Sequence, residues 1–512
     1  MGERGDAITS MRINRREFVK LSVGTSGMVG RATGWPAAQK KADVREVGSR
    51  LELLVDDWLI ERFDGAGLRL HSPAPRDVAL SFNDVPWEGS TSGYVTVLQD
   101  GGKCRLYYRG KPGNSPDGSD DEVTCYAESP DGIHWQRPKL GLFEVKGTRE
   151  NNVILTSAQA PAPHNFAPFI DTRPGVRPEE RFKGLGGLFD MGPGKVTSGG
   201  LLGFVSPDGI RWRKIRDAAV IDHTSHPLYT DTTQSPTFWS DSEQRYICYV
   251  RTWKGQPPPR KGWPGKIRWI GRTTSPDFMH WSKVVPLDMG DVPDEHHYTN
   301  QILPYFRAPH IYIGMPFRFR PERKVVPEHP YPGISDALFM TSRDGLHWDR
   351  RFMEAFVRPG RDRENWTERN LALACGIVRT APDEMSVYWQ EHLRHPTARL
   401  RRGVLRLDGF VSVNAGYRGG SVLTRPLVFD GRELVLNYAT SAAGSVRVEL
   451  LDGSARAIPG HSLDESREMY GDEIEAVVSW RGGLSVSAWS GRPVRLRIAL
   501  ADADIFSLRF RA

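Results

Sequence analysis

Ser129-Pro130-Asp131-Gly132-Ile133-His134-Trp135 returns as Ser206-Pro207-Asp208-Gly209-Ile210-Arg211-Trp212, as Ser275-Pro276-Asp277-Phe278-Met279-His280-Trp281, and as Ser342-Arg343-Asp344-Gly345-Leu346-His347-Trp348. The steps between copies are 77, 69 and 67 residues. A pattern recurring at a near-constant step marks a repeat architecture. The pattern itself is turn chemistry: Pro presets φ, Asp bonds nearby backbone, and Gly takes positive φ. Each copy closes a run with strand character, such as Val123-Thr124-Cys125-Tyr126 or Leu201-Leu202-Gly203-Phe204-Val205, and ends on a Trp that anchors the next strand. Strand, Asp-Gly turn and Trp at this step predict a β-propeller with blades of about four strands.

Two further strands precede each turn, as in 93–98 with 104–109, or 235–239 with 245–251. A fifth unit, 371–377 with 385–389, replaces the turn by Leu407-Asp408-Gly409-Phe410, so the expected count is five blades with an atypical last one. After about residue 413 short alternating strands are separated by Asp430-Gly431, Asp452-Gly453 and Gly482-Gly483, which predicts a small antiparallel β-sandwich. The fold class is therefore all-β: a signal segment over 1–42, a five-bladed propeller over 43–412 and a sandwich over 413–512. Residues 50–80 are expected to lead into the first blade or to close the ring.

Of the formal net charge of +7, residues 1–42 carry +5, and a near-neutral remainder gives no reason to expect nucleic acid. No apolar run is long enough to span a bilayer. Cys104, Cys125, Cys248 and Cys375 lie in separate strand-like runs without a C-x-x-C pair, which points to buried inert thiols. Asn14-Arg15-Arg16-Glu17-Phe18-Val19-Lys20, followed by a mild apolar stretch, resembles a twin-arginine export signal and implies a periplasmic or extracellular protein.

The five units, the Ser-x-Asp-Gly-x-x-Trp turns and a final strand Phe506-Ser507-Leu508-Arg509-Phe510 resemble the propeller glycoside hydrolases of families 32, 43 and 68. The likeness is greatest to family 32, whose members carry a C-terminal sandwich. Phe82-Asn83-Asp84-Val85-Pro86 matches part of that family's nucleophile segment, and Ile170-Asp171-Thr172-Arg173-Pro174 echoes its Arg-Asp-Pro segment. The resemblance implies a glycosidase acting on a carbohydrate.

First strands line a propeller's channel, so polar residues just ahead of them are site candidates. The catalytic candidates are Asp84, Glu88, Asp231, Glu295 and Glu368, because glycoside hydrolysis needs one protonated and one ionised carboxyl. Substrate-binding candidates are Trp87, Arg109, His164, Arg251, His297, Arg318, Arg369 and Glu391. Arg forks bind carboxylate or sulfate in a bidentate manner. An anionic sugar handled as in sialidases, with Tyr298 or Tyr331 as nucleophile, is one alternative. A non-catalytic glycan-binding propeller is another. Adjacent His296 and His297 point apart on a strand, so no metal ligand set is assigned, and no cofactor is required beyond an allowed calcium or sodium ion in the channel. The leading expectation is an exported glycosidase acting on a plant or algal glycan.

Overall fold

A computed structural model describes residues 44–113, 118–159, 163–189, 198–222, 224–225, 233–255 and 267–512. The expected export signal, Asp231 and most of the Lys254–Pro264 loop lie outside the described residues. The described chain is all-β, a propeller-and-sandwich arrangement in which the helical pieces are single 3-10 turns.

Successive antiparallel sheets follow the repeat. Gly93–Asp100, Lys103–Gly110, Val123–Ser129 and Val153–Leu155 form the first. Ala167–Ile170, Phe182–Gly186, Gly200–Ser206 and Arg213–Lys214 form the second, and Thr237–Ser240, Arg245–Lys254, Ile267–Ser275 and Val285–Pro286 the third. Ile302–Tyr305, Ala308–Gly314 and Met340–Ser342 come next, and a hairpin of Phe317–Arg320 and Ile334–Ala337 forms a separate small sheet with His296–His297. The final sheet joins Val378–Arg379, Glu384–Glu391 and Arg399–Arg406 to Ala74–Ser81, so a strand from the start of the chain completes the last sheet. Residues 96–101, 167–170, 236–238, 302–304 and 375–377, from the inner edges of these sheets, line one cavity of about 450 Å³.

The repeated turns do more than reverse the chain. In the first, Asp131 Oδ1 accepts from the backbone N–H of Ile133 and His134 at 2.8 and 2.9 Å, and Ser129 Oγ accepts from Gly132 N at 2.9 Å. Asp208 and Asp344 repeat this, each taking two backbone N–H groups at 2.8–2.9 Å. Gly132, Gly209 and Gly345 have φ of 73°, 73° and 74°, and Phe278 keeps φ at 70° where the third copy lacks Gly. The turn then docks on the preceding sheet. Tyr249 donates to the Gly345 carbonyl at 3.0 Å, and Arg105 donates to the Asp208 carbonyl at 2.7 Å. Tyr388 of the last sheet donates to the Gly132 carbonyl of the first at 2.5 Å, which closes the circuit. The terminal Trp packs edge-on against the same neighbouring tyrosine, as in Trp135–Tyr388 and Trp348–Tyr249.

Two sequence expectations need correction. Residues 45–70 do not belong with the propeller. Arg45–Gly48, Glu52–Leu53, Ile60–Asp64 and Ala66–Leu70 pair with strands after residue 410, inside a ten-stranded sheet. Val47, Leu54, Leu59 and Ile60 enter its core beside Leu436, Leu450, Ile498 and Phe510, and apolar periodicity alone does not say which partner buries a strand. The sandwich strands expected at 434–438 and 446–450 are one strand, Glu433–Asp452, with a register break between Thr440 and Ser445, and Val494–Arg511 is likewise continuous. The small residues 441–444 have no register partner in Val494–Arg511, so the strand bulges there.

Two departures from the repeat, at Arg343 and at the 407–410 turn, both meet the sandwich. Arg343, standing where other copies have Pro, pairs with Asp56 at 2.7 Å and Glu52 at 3.0 Å. Asp408 of the atypical turn is fully buried, accepts from Tyr305 at 2.6 Å, Arg307 at 2.9 Å and Ser507 at 3.0 Å, and so ties both bodies together. Burial pushes the Glu52 carboxyl up, but the His310 hydrogen bond and the charges of Arg343, His310 and Arg50 outweigh it and hold the pKa at about 2, down from 4.5. A depressed pKa contributes stability above 4.5 that fades as pH falls toward 2. The shift corresponds to about 3 kcal/mol. Glu52→Gln is expected to lose that contribution at neutral pH and to flatten the stability profile between pH 4.5 and 2, measured by urea unfolding across pH.

Candidate functional site: a cationic pit

Antiparallel pairing brings the starts of first and third strands and the ends of second strands to one face. There Thr91, Tyr94, Arg109, Lys111, Phe317, Arg369, Ala372, Gln390, Leu393 and Arg394 line a cavity of about 50 Å³. That is room for a few waters, or for one carboxylate or sulfate group, but not for a sugar ring. The lining holds four cationic side chains and no acid.

Each cationic pair is backed by one buried carboxylate. On the first sheet's side Glu122 lies 3.5 Å from Arg109 and 3.9 Å from Lys111, and bonds His164 Nδ1 at 3.0 Å. Asn165 Nδ2 reaches His164 Nε2 at 3.1 Å while its Oδ1 accepts from Arg109 at 3.2 Å, so Glu122, His164 and Asn165 form a relay that orients the Arg109 guanidinium. On the other side Glu368 accepts from Arg394 at 2.5 Å and from Arg369 at 3.0 Å. Burial raises the Glu368 carboxyl, but these two guanidinium groups outweigh it and keep it low, hence ionised.

Aromatic rings floor the pit. Arg109 lies 4.6 Å from the Tyr94 ring, and Arg251 and Arg268 lie 4.4 and 4.5 Å from the Tyr298 ring, which stacks on Phe317 at 4.9 Å. Burial, with Tyr298 nearby, pushes the Tyr94 phenol well up against the pull of Arg109, Arg369 and Arg251, so it is held as a proton donor. Backbone strain gathers here. Tyr94, Asn165, Gln301, Arg369 and Arg394 have φ of 53°, 53°, 45°, 56° and 67°. Left-handed conformations at non-glycine residues cost about 1–3 kcal/mol each and persist where the surroundings enforce them. Below the pit Gln234 donates to Thr96 Oγ1 at 2.6 Å and accepts from Gln301 at 2.9 Å, and Gln301 also donates to the Leu373 carbonyl at 2.6 Å. This bridge separates the pit from the larger cavity at the opposite end.

The residues singled out from sequence fall into several places. Arg109 and Arg369 line the pit, and Glu368, His164 and Arg251 stand just behind its lining. Glu88 is elsewhere: it is buried against Arg137 at 2.7 Å and bonded to Tyr108, pinning the 82–92 loop to the first sheet. Asp84 is exposed 3.6 Å from Arg137, and Trp87 donates to Asn152 at 2.8 Å in the sheet core. Glu295 sits between Arg318 at 3.1 Å and Arg350 at 3.2 Å. His297 turns toward Arg350 at 2.6 Å, whereas His296 faces the backbone of Arg268 at 3.0 Å, so the two rings diverge. Glu391 accepts from Arg399 at 2.7 Å and Arg401 at 3.1 Å, away from the pit. Tyr331 is exposed under the Arg394 guanidinium at 4.2 Å. Tyr94, Lys111, Glu122, Gln390 and Arg394 were not picked out from sequence. Glu122 stands just ahead of the third strand Val123–Ser129, and third-strand starts share the face of first-strand starts, which is the signal that would have found it. Among the described residues no cluster of three or more His, Cys, Asp or Glu is arranged to hold a metal ion, and no helix is long and apolar enough to cross a membrane.

No protein-family profile matches the chain, and no curated protein matches it. Among solved structures it is similar to a complex of BT0996 with RGII, at 12% identity over 66% of this chain and 93% of that one, with a TM-score of 0.45. A structure described as "Glycoside hydrolase" gives 12% identity, 65% and 92% coverage and a TM-score of 0.45. An N-acetylgalactosamine deacetylase from F. plautii in complex with blood group B trisaccharide gives 12% identity, 66% and 95% coverage and a TM-score of 0.41.

Proposed function

We propose that this is a five-bladed propeller protein acting on glycans, a glycosidase whose substrate carries a carboxylate or sulfate group seated in the cationic pit. The observation that carries this reading is the lining: Arg109, Lys111, Arg369 and Arg394 converge on a space sized for one anionic group. Guanidinium forks match such groups in geometry and charge. The sugar ring then rests above the pit, over Tyr94 and Phe317. Glu368, kept ionised by Arg369 and Arg394, is the proposed carboxylate base or nucleophile, and the Tyr94 phenol, held protonated, is the proposed proton donor to the leaving-group oxygen. Acidic glycans of plants and algae supply sugars of this class, and the twin-arginine-like start of the chain supports an exported protein.

The test is calorimetry with galacturonate-terminated and sulfated oligosaccharides beside neutral ones of equal length. Binding confined to the anionic set is expected, and equal binding of neutral sugars would refute the reading. Release of reducing ends that stops in Glu368→Gln identifies a glycosidase. One observation favours a second reading: both carboxylates behind the pit are engaged by two cationic groups each. Anionic binding with no released product would make this a glycan-binding propeller.

A further inference from the structure

Two larger grooves lie on either side of the 356–366 segment, outside the pit. One, of about 280 Å³, is lined by Arg318, Arg320, Arg323, Ser335, Asp336 and the Trp366 ring among others. The other, of about 380 Å³, includes Arg358, Arg361, Arg399 and Arg401 with Asn365, Asp362 and Glu391. Both are lined by Pro359, so they adjoin across that segment and together offer one track of two stations.

Three features mark a built site. Of the seven lining arginines, Arg318 is taken up by Asp336 and Glu295, and Arg399 and Arg401 by Glu391, which leaves Arg320 (beside Glu322), Arg323, Arg358 and Arg361 to face a ligand. Each lining also includes a residue with a buried polar atom that lacks a hydrogen-bond partner: Ser335, 2% exposed, with its Oγ, and Asn365, 4% exposed, with its Oδ1. Such atoms are costly unless a ligand group satisfies them. Finally the dividing segment is fixed in advance. Asp362 caps the short helical turn Arg363–Trp366 at 3.2 Å and bonds His392 at 2.7 Å, while Trp366 Nε1 donates to the Gly360 carbonyl at 2.9 Å.

We propose that this track is a second carbohydrate site, binding two consecutive acidic sugars of a polymer, one per groove. The arginines take the carboxylate or sulfate groups, Asn365 Oδ1 and Ser335 Oγ take ring hydroxyls, and Trp366 offers a face for stacking. Groove volumes several times that of the pit fit whole rings. The track does not depend on the pit's function.

Affinity gel electrophoresis of the full chain in polygalacturonate, dextran sulfate and neutral dextran tests it. Retardation is expected in one or both acidic gels, the polygalacturonate gel reporting carboxylate and the dextran sulfate gel sulfate, with none in neutral dextran. The variant Arg320→Ala/Arg323→Ala/Arg358→Ala/Arg361→Ala is expected to weaken retardation at least tenfold with an unchanged melting temperature, because these side chains stand at the surface. The same four positions changed to Lys should also lose most of the effect, since an ammonium cannot reproduce the fork. Arg369→Ala removes whatever share of the retardation the pit contributes, and the share borne by the grooves should persist in it. Full retardation in either fourfold variant, loss of it in Arg369→Ala, equal retardation in neutral dextran, or none in either acidic gel would each overturn the proposal.

Discussion

Arg369→Ala is expected to weaken binding of a carboxylate- or sulfate-bearing sugar about thirtyfold or more, while leaving neutral sugars at their former weak level. Truncating one member of a buried, hydrogen-bonded charge pair costs about 2–5 kcal/mol, and each 1.4 kcal/mol is about tenfold in affinity. Arg369 has two duties. It faces the pit, and it bonds Glu368, which is 4% exposed. Its loss removes a ligand fork and leaves Glu368 to Arg394 alone. Arg369→Lys separates the duties: the charge stays, so stability should recover, but the single ammonium should restore only part of the affinity. Calorimetry and thermal melting on both variants read the two effects independently. Undiminished anion binding in Arg369→Ala would remove the pit as the anion site.

Asp408→Ala is expected to produce the largest loss of stability, about 3–5 kcal/mol, the cost of breaking a buried ion pair by removing one partner. The carboxylate accepts from Tyr305 and Arg307 of the propeller and from Ser507 of the sandwich, with Asn437 at 3.3 Å. Removing it leaves the Arg307 guanidinium with Glu475 alone, at 3.1 Å, and strips the acceptor from the hydroxyl of Tyr305, a residue with no exposed surface. Chemical unfolding should show a lower midpoint, and protease should cut between the two bodies before either is degraded. Asp408→Asn keeps the shape and some hydrogen bonds, so an intermediate loss is expected. A wild-type midpoint in Asp408→Ala would show that the joint is held by apolar packing.

The scaffold was legible because its signals are local. A Ser, an Asp two positions on and a Trp four beyond that define a turn whose bonds all fall within six residues, and strand alternation is read in windows of similar size. What is not local was lost. Nothing in Arg45–Leu70 says that its strands pair with a sheet more than 340 residues away. The same limit governed the site. Glu88 and Glu295 sit ahead of or between strands like Glu368 does, yet their partners, Arg137 and Arg350 from loops and Arg318 from the Phe317–Arg320 strand, are not residues that line the pit, which makes the two carboxylates structural. Arg109 was readable as a second-strand end, whereas Arg394 belongs to a strained turn at φ 67° that no pattern announces. The departures from the repeat were visible all along, in Arg343 and in the 407–410 turn, but only the partners Glu52, Asp56 and Ser507 reveal that they are joints.

The Gln234–Gln301 bridge sets the traffic of the site. A pit stoppered at its base has one door. On the reading proposed above, a polymer cannot thread through the ring and lies across the face of the pit, with only an anionic group entering. An anionic group that has entered must leave by the opening its successor needs, which makes a free acidic monosaccharide a natural competitor and exchange a matter of how quickly the arginines let it go.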